Sequence, residues 1–119
     1  MPRADEDPGA EAARPADVAE FSSRFPTPGV GVLTVSGELD ISTAGALQHA
    51  LEGLLDAGTE RVEVDLSGVV FMDSSALSAL VGAHERAGRH DQRLALVRPS
   101  PACAKVLGIT GLDRVFDLI

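Results

Sequence analysis

The stretch Asp73-Ser74-Ser75 lies where an apolar run, Val69-Val70-Phe71-Met72, gives way to residues at helical spacing. An aspartate in that position is a natural helix N-cap, because its carboxylate accepts hydrogen bonds from the unpaired N–H groups of the first turn. Ser74 then falls on that first turn, with its hydroxyl expected to face solvent. A phosphate carried there would stand at the positive end of the helix dipole, close to free N–H groups. Two readings stay open on these residues alone: a capped helix whose serines do nothing else, or a hydroxyl presented for modification.

The other chemically capable residues are less organised. Glu38 and Asp40 are paired carboxylates, but no partner acid or base accompanies them, and a solvated turn accounts for both. His49, His84 and His90 have no metal-ligand spacing. His84 shares a helical stripe with Leu77, Leu80 and Val81, which suits a partly buried helix residue. The single cysteine, Cys103, can form neither an internal disulfide nor a cysteine-based metal cluster, and packing is its default role. Ser74 lacks the G-x-S-x-G elbow of a serine hydrolase, and neither a Walker A loop nor a G-x-G-x-x-G turn is present. The residues therefore point to no enzyme, no metal and no cofactor.

The elements that position these residues alternate between strand and helix. Val18 to Phe25 is a weak strand pattern, followed by a turn at Pro26-Thr27-Pro28-Gly29, and Val30 to Ser36 reads as a Val-rich strand. Thr43 to Ala57 places Ala44, Leu47, Leu51, Leu54 and Leu55 on one helical face, with Gly58 at the C′ position. Arg61 to Leu66 alternates, with Val62, Val64 and Leu66 on one side and Arg61, Glu63 and Asp65 on the other, as expected of a strand with one wet face. After Val69–Met72, a helix opens at Asp73-Ser74-Ser75 and is expected to end at Gly88. Arg93 to Val97 is a further strand, Ser100-Pro101 caps a short helix holding Cys103, Val106 and Leu107, and Val115 to Ile119 reads as a short edge strand. Repeated strand-helix-strand units imply right-handed crossovers. The expected fold is α/β, a mostly parallel sheet of four to five strands in sequential order with helices mainly on one face, because the alternating strand leaves the other face wet.

Composition bounds the partners. The chain has 119 residues, 45% of them hydrophobic, which suits one domain with a real core. Residues 1–17 hold three prolines, five acids and no Leu, Ile, Val or Phe, and are expected to form a disordered tail ahead of a domain at 18–119. The net charge of -8 argues against nucleic acid and against anionic membrane surfaces, and four Phe with no Tyr or Trp offer few stacking platforms. No apolar run approaches the roughly 20 residues of a membrane span, and no signal peptide is visible, so a cytoplasmic location is expected.

Taken in order, Gly37-Glu38-Leu39-Asp40, Val64-Asp65-Leu66-Ser67, Phe71-Met72-Asp73-Ser74-Ser75-Ala76-Leu77 and Ile109-Thr110-Gly111-Leu112 resemble the STAS domain, in particular the bacterial anti-sigma-factor antagonists of the SpoIIAA and RsbV type. The resemblance covers residues 18–119. It implies a partner-switching protein that binds an anti-sigma factor which is also a serine kinase, and so frees a sigma factor. It further implies that the kinase phosphorylates Ser74 and releases the modified chain, and that a PP2C-type phosphatase restores it. The partner surface implied comprises Glu38, Asp40, Asp73, Ser74, Ser75 and Leu77. One departure stands out: the family usually has glycine where this chain has Ala76, whose methyl would be expected to hinder close approach of a partner. The alternatives carried are a STAS subunit of a lipid-transport ABC system and a STAS scaffold that is not phosphorylated.

Overall fold

A tight Pro28-Gly29 connection folds the first two strands, β1 (Ala19–Thr27) and β2 (Val30–Leu39), into an antiparallel hairpin. Gly29 adopts φ +83, which lets two residues reverse the chain. In the computed structural model, which describes residues 19–119, the chain then proceeds through α1 (Ala44–Asp56), β3 (Arg61–Met72), α2 (Ser74–Arg89), β4 (Arg93–Val97), α3 (Pro101–Thr110) and β5 (Asp117–Leu118). A single 3-10 turn at Leu112–Arg114 precedes β5. The expected tail at 1–17 and the strand residue Val18 lie outside the described residues.

The five strands lie in the order β1-β2-β3-β4-β5. Every pair after the first is parallel, so the sheet is mixed rather than purely parallel. Each parallel step to the next strand passes through a helix, and a constant crossover hand keeps those helices on one face. One core results. Leu33, Val35, Val62, Val64, Leu66, Leu94 and Leu96 from the strands meet Leu47, Leu51, Leu54, Leu55, Leu80 and Leu107 from the helices.

Four local expectations are corrected. Arg61–Leu66 and Val69–Met72 belong to one strand of 12 residues, β3, whose register against β2 shifts twice. The strand passes Ser36 so closely at Gly68 that a Cβ there would stand 2.9 Å from the Ser36 Cβ. Asp65 is not on a wet face but only 7% exposed. It accepts from Ser67 N–H at 3.0 Å and from the Ser67 hydroxyl at 2.8 Å, and it pairs with Arg98. Burial works to raise its pKa, but the Ser67 hydrogen bonds and Arg98 outweigh it, and the carboxyl is held below the usual range. Gly88 does not end α2; the helix runs to Arg89, and the left-handed residue that follows it is Asp91 at φ 57. Glu38 lies within β2 rather than in a turn, at a register shift where Gly37 takes φ +94. Among the described residues no helix is long and apolar enough to cross a membrane.

Candidate functional site

The site is built where β2 and β3 end side by side. Leu39 is in register with Met72, and Asp73 N–H donates to the Leu39 carbonyl at 3.0 Å. The next residue of β2's exit is Asp40, so the two aspartates leave adjacent strands at the same level.

At the β3 exit no loop intervenes. Asp73 has extended backbone, φ -117 and ψ -173, and α2 begins with Ser74. Its Oδ1 accepts from Ser75 N–H at 2.9 Å and from Ala76 N–H at 3.3 Å, the bonding expected of an N-cap. Leu77 N–H donates to the Asp73 carbonyl at 3.2 Å and continues the helix. This geometry fixes the direction of each following side chain. Ser74 is exposed, Ser75 is half-buried, and Ala76 and Leu77 are buried at 0% and 6% exposure.

Two sequence expectations change as a result. Leu77 belongs to the core beneath the site and supports α2 from within; it presents no surface to a partner. Ala76 also faces the core, so its methyl, expected to hinder a partner, is turned away from the surface. Ser75 turns toward the groove between α1 and α2, which is lined by Ala44, Gly45, Ser78, Ala79 and Gly82. Ser74 is thus the first-turn hydroxyl left open to solvent, above a helix start whose cap is already supplied.

At the β2 exit the carboxylate does different work. Asp40 Oδ1 accepts from the Ser42 hydroxyl at 2.6 Å, Ser42 N–H at 2.9 Å and Thr43 N–H at 3.2 Å, with the Thr43 hydroxyl oxygen 3.3 Å away. These bonds, led by that from the Ser42 hydroxyl, hold the Asp40 carboxyl below the ordinary aspartate range. Thr43 closes the turn from the other side: its hydroxyl donates to the Glu38 carbonyl at 2.9 Å and accepts from Asp40 N–H at 2.9 Å. Sequence reasoning missed Thr43, although an aspartate followed two and three residues later by Ser and Thr is a turn signal in its own right. It also missed Ile41, which stands 81% exposed at the tip of this loop. Of the predicted surface, then, Glu38, Asp40, Asp73, Ser74 and Ser75 are brought to one end of the sheet, and Leu77 is withdrawn beneath them.

No group of three or more metal-competent side chains gathers among the described residues. His84 instead packs edge-to-face on Phe116, with ring centroids 5.2 Å apart. Cys103 is buried, and burial pushes its thiol pKa up.

Comparison with known proteins adds three relatives and a family match. A family model described as Mlab, STAS domain, matches residues 25–119. The anti-sigma-B factor antagonist of Staphylococcus epidermidis is 35% identical over 84 residues, 71% of this chain and 78% of that protein. The anti-sigma-F factor antagonist RsfB of Mycobacterium tuberculosis is 31% identical over 90 residues, 76% of this chain and 73% of that one. The crystal structure of an anti-sigma factor antagonist from Mycobacterium paratuberculosis superposes with a TM-score of 0.78 at 32% identity, covering 89% of this chain and 88% of that one.

Proposed function

Because the chain belongs to the STAS domain family, we propose that it is an anti-sigma-factor antagonist: it binds an anti-sigma factor and thereby frees a sigma factor. The partner surface is the end of the sheet formed by Glu38, Asp40, Asp73, Ser74 and Ser75. The partner is an anti-sigma factor with serine kinase activity, which transfers phosphate to Ser74 and then dissociates. A PP2C-type phosphatase resets the switch. The chain is substrate and inhibitor rather than catalyst, and it acts in the cytoplasm, where the sigma factor is.

The observation that carries this reading is the exposed Ser74 hydroxyl on a helix whose first-turn N–H groups already have their cap in Asp73. Removal or modification of that hydroxyl leaves the cap intact. Phosphate adds about -1.5 to -2 charges, and the helix N-terminus tolerates them, so the domain stays folded while its partner surface changes. Asp40 and Asp73 already make that surface acidic, and the added charge acts against any partner that accepts it.

The test is phosphosite mapping with the cognate kinase and ATP, together with partner affinity for three proteins. Ser74→Ala folds normally, accepts no phosphate and holds the anti-sigma factor persistently. Ser74→Asp folds but binds at least about tenfold more weakly through like-charge repulsion. Phosphate found only on Ser75, or equal affinity for all three proteins, would sink the switch and favour a STAS subunit of a lipid-transport ABC system, which needs no phosphate step.

A further inference from the structure

Among the described residues the sheet has one long uncovered edge. β1 is its outermost strand, nine residues long, and among the described residues no strand lies on its far side. An edge of this length offers unpaired N–H and C=O groups to another strand, although β1 shifts register against β2 between Arg24 and Thr27. The side chains along it carry a further message. Ala19 and Phe21 are half-buried and pack on the core, so odd-numbered residues face the helices. Phe25 follows them: a Cβ on Gly31 would meet Phe25 Cε1 at 3.5 Å beside Leu54 Cδ2 and Thr59 Cγ2. The ring therefore lies on the helix-covered face, yet it is 56% exposed. Glu20, Ser22 and Arg24 face the opposite side and are all exposed. Among the described residues neither Glu20 nor Arg24 takes part in an ion pair.

We propose that the occupant of this edge is β1 of a second copy of this chain, paired antiparallel about a two-fold axis through Ser22. Glu20 and Arg24 flank Ser22 symmetrically, so this register sets Glu20 opposite Arg24 of the second copy, and does so twice. On the helix-covered face it sets Phe25 opposite Ala19, where the exposed ring covers a small side chain at the edge of the other core. Continuity of the two core faces requires opposed residues of the same parity, which restricts the axis to a residue position. An axis at Arg24 opposes two arginines, and one at Ser23 sets Glu20 against Pro26. Pro26 has no N–H to donate, so the ladder runs from Ala19 to Phe25. The result is one ten-stranded sheet whose Ser74 surfaces lie away from the shared edge, so the proposal stands independently of the switch.

The test is sedimentation equilibrium of the full chain over about a hundredfold range of concentration, where a monomer–dimer equilibrium shows by mass action. Wild type is expected to dimerise. Arg24→Glu, which opposes acids at both pairs, weakens association by about tenfold. Glu20→Arg combined with Arg24→Glu reverses each pair and restores the wild-type constant. Both substituted positions are surface-exposed, and circular dichroism verifies that each variant is folded. A wild type that stays monomeric throughout, as it would if its own residues 1–18 covered β1, overturns the proposal. So does a dimer indifferent to Arg24→Glu, or a double variant as weak as the single one.

Discussion

The two strand exits, β2 into α1 and β3 into α2, begin with the same residue type and use it differently. Each leads to a leucine in the first full turn, Leu47 and Leu77, whose N–H groups donate to Thr43 and Asp73. At the first exit the residue before the helix, Thr43, has helical backbone angles and makes no side-chain cap. The capping work moves upstream to Asp40, whose Oδ1 accepts from donors of its own loop. At the second exit Asp73 is both the end of the strand and the cap, and the chain enters the helix at once. A carboxylate that closes a loop leaves the loop tip, Ile41, as the exposed feature. A carboxylate that caps directly leaves a hydroxyl, Ser74, in that place. The same residue type thus yields an apolar tip on one side and an exposed hydroxyl on the other.

Three changes would break or sharpen that contrast. The largest effect is expected from the shared support beneath both exits. Leu47→Ala and Leu77→Ala each remove a buried side chain and should cost about 2–5 kcal/mol, read by urea unfolding. A much smaller loss at Leu77 alone would show that α2 is not anchored as α1 is. Next comes the cap. Asp73→Ala should cost about 1 kcal/mol, while Asp73→Asn, which still caps, should be close to neutral; equal losses would remove the capping role from the comparison. The smallest effect concerns Asp40. Its folded pKa is depressed, so whatever it adds to stability is present above the unfolded value of about 3.9 and is lost as pH falls through the lower folded value. Ser42→Ala should raise the Asp40 titration midpoint, followed by carboxyl chemical shifts, with little change in stability at neutral pH. A midpoint that does not move would mean the Ser42 hydroxyl does not hold the loop.

What sequence made legible was local. The Asp73 cap, the Ser100 cap with Pro101 after it, and the Gly58 turn after α1 each depend on a few neighbouring residues, and each is present. The sequential strand order follows from the regular alternation of elements, and it holds. What escaped depends on distant partners. Asp65 alternates as an outward residue, but its burial is decided by Arg98, which arrives from the end of the neighbouring strand. Leu77 sits in a recognisable motif, but which face of α2 meets the sheet decides whether a motif residue is surface or support. The joining of Arg61–Leu66 to Val69–Met72 also depends on a neighbour, since β2 is what carries the strand across Ser67 and Gly68.

That joined strand has a consequence for how the chain tolerates change in length. Between Thr34 and Leu39 β2 takes five steps, while β3 takes seven from Asp65 to Met72. The buried positions of β3 accordingly pass from Val62, Val64 and Leu66 to Val69 and then Met72. The two extra residues make up one full strand period, so Met72 keeps the inward phase of Leu66 when Asp73 reaches the Leu39 carbonyl. Loss or gain of a single residue between Leu66 and Met72 would put the helix entrance out of phase with the core, turning Ser74 inward or Leu77 outward. The length of this segment is therefore as tightly specified as its composition, and lineages of this domain should drift in sequence here far more readily than in residue count.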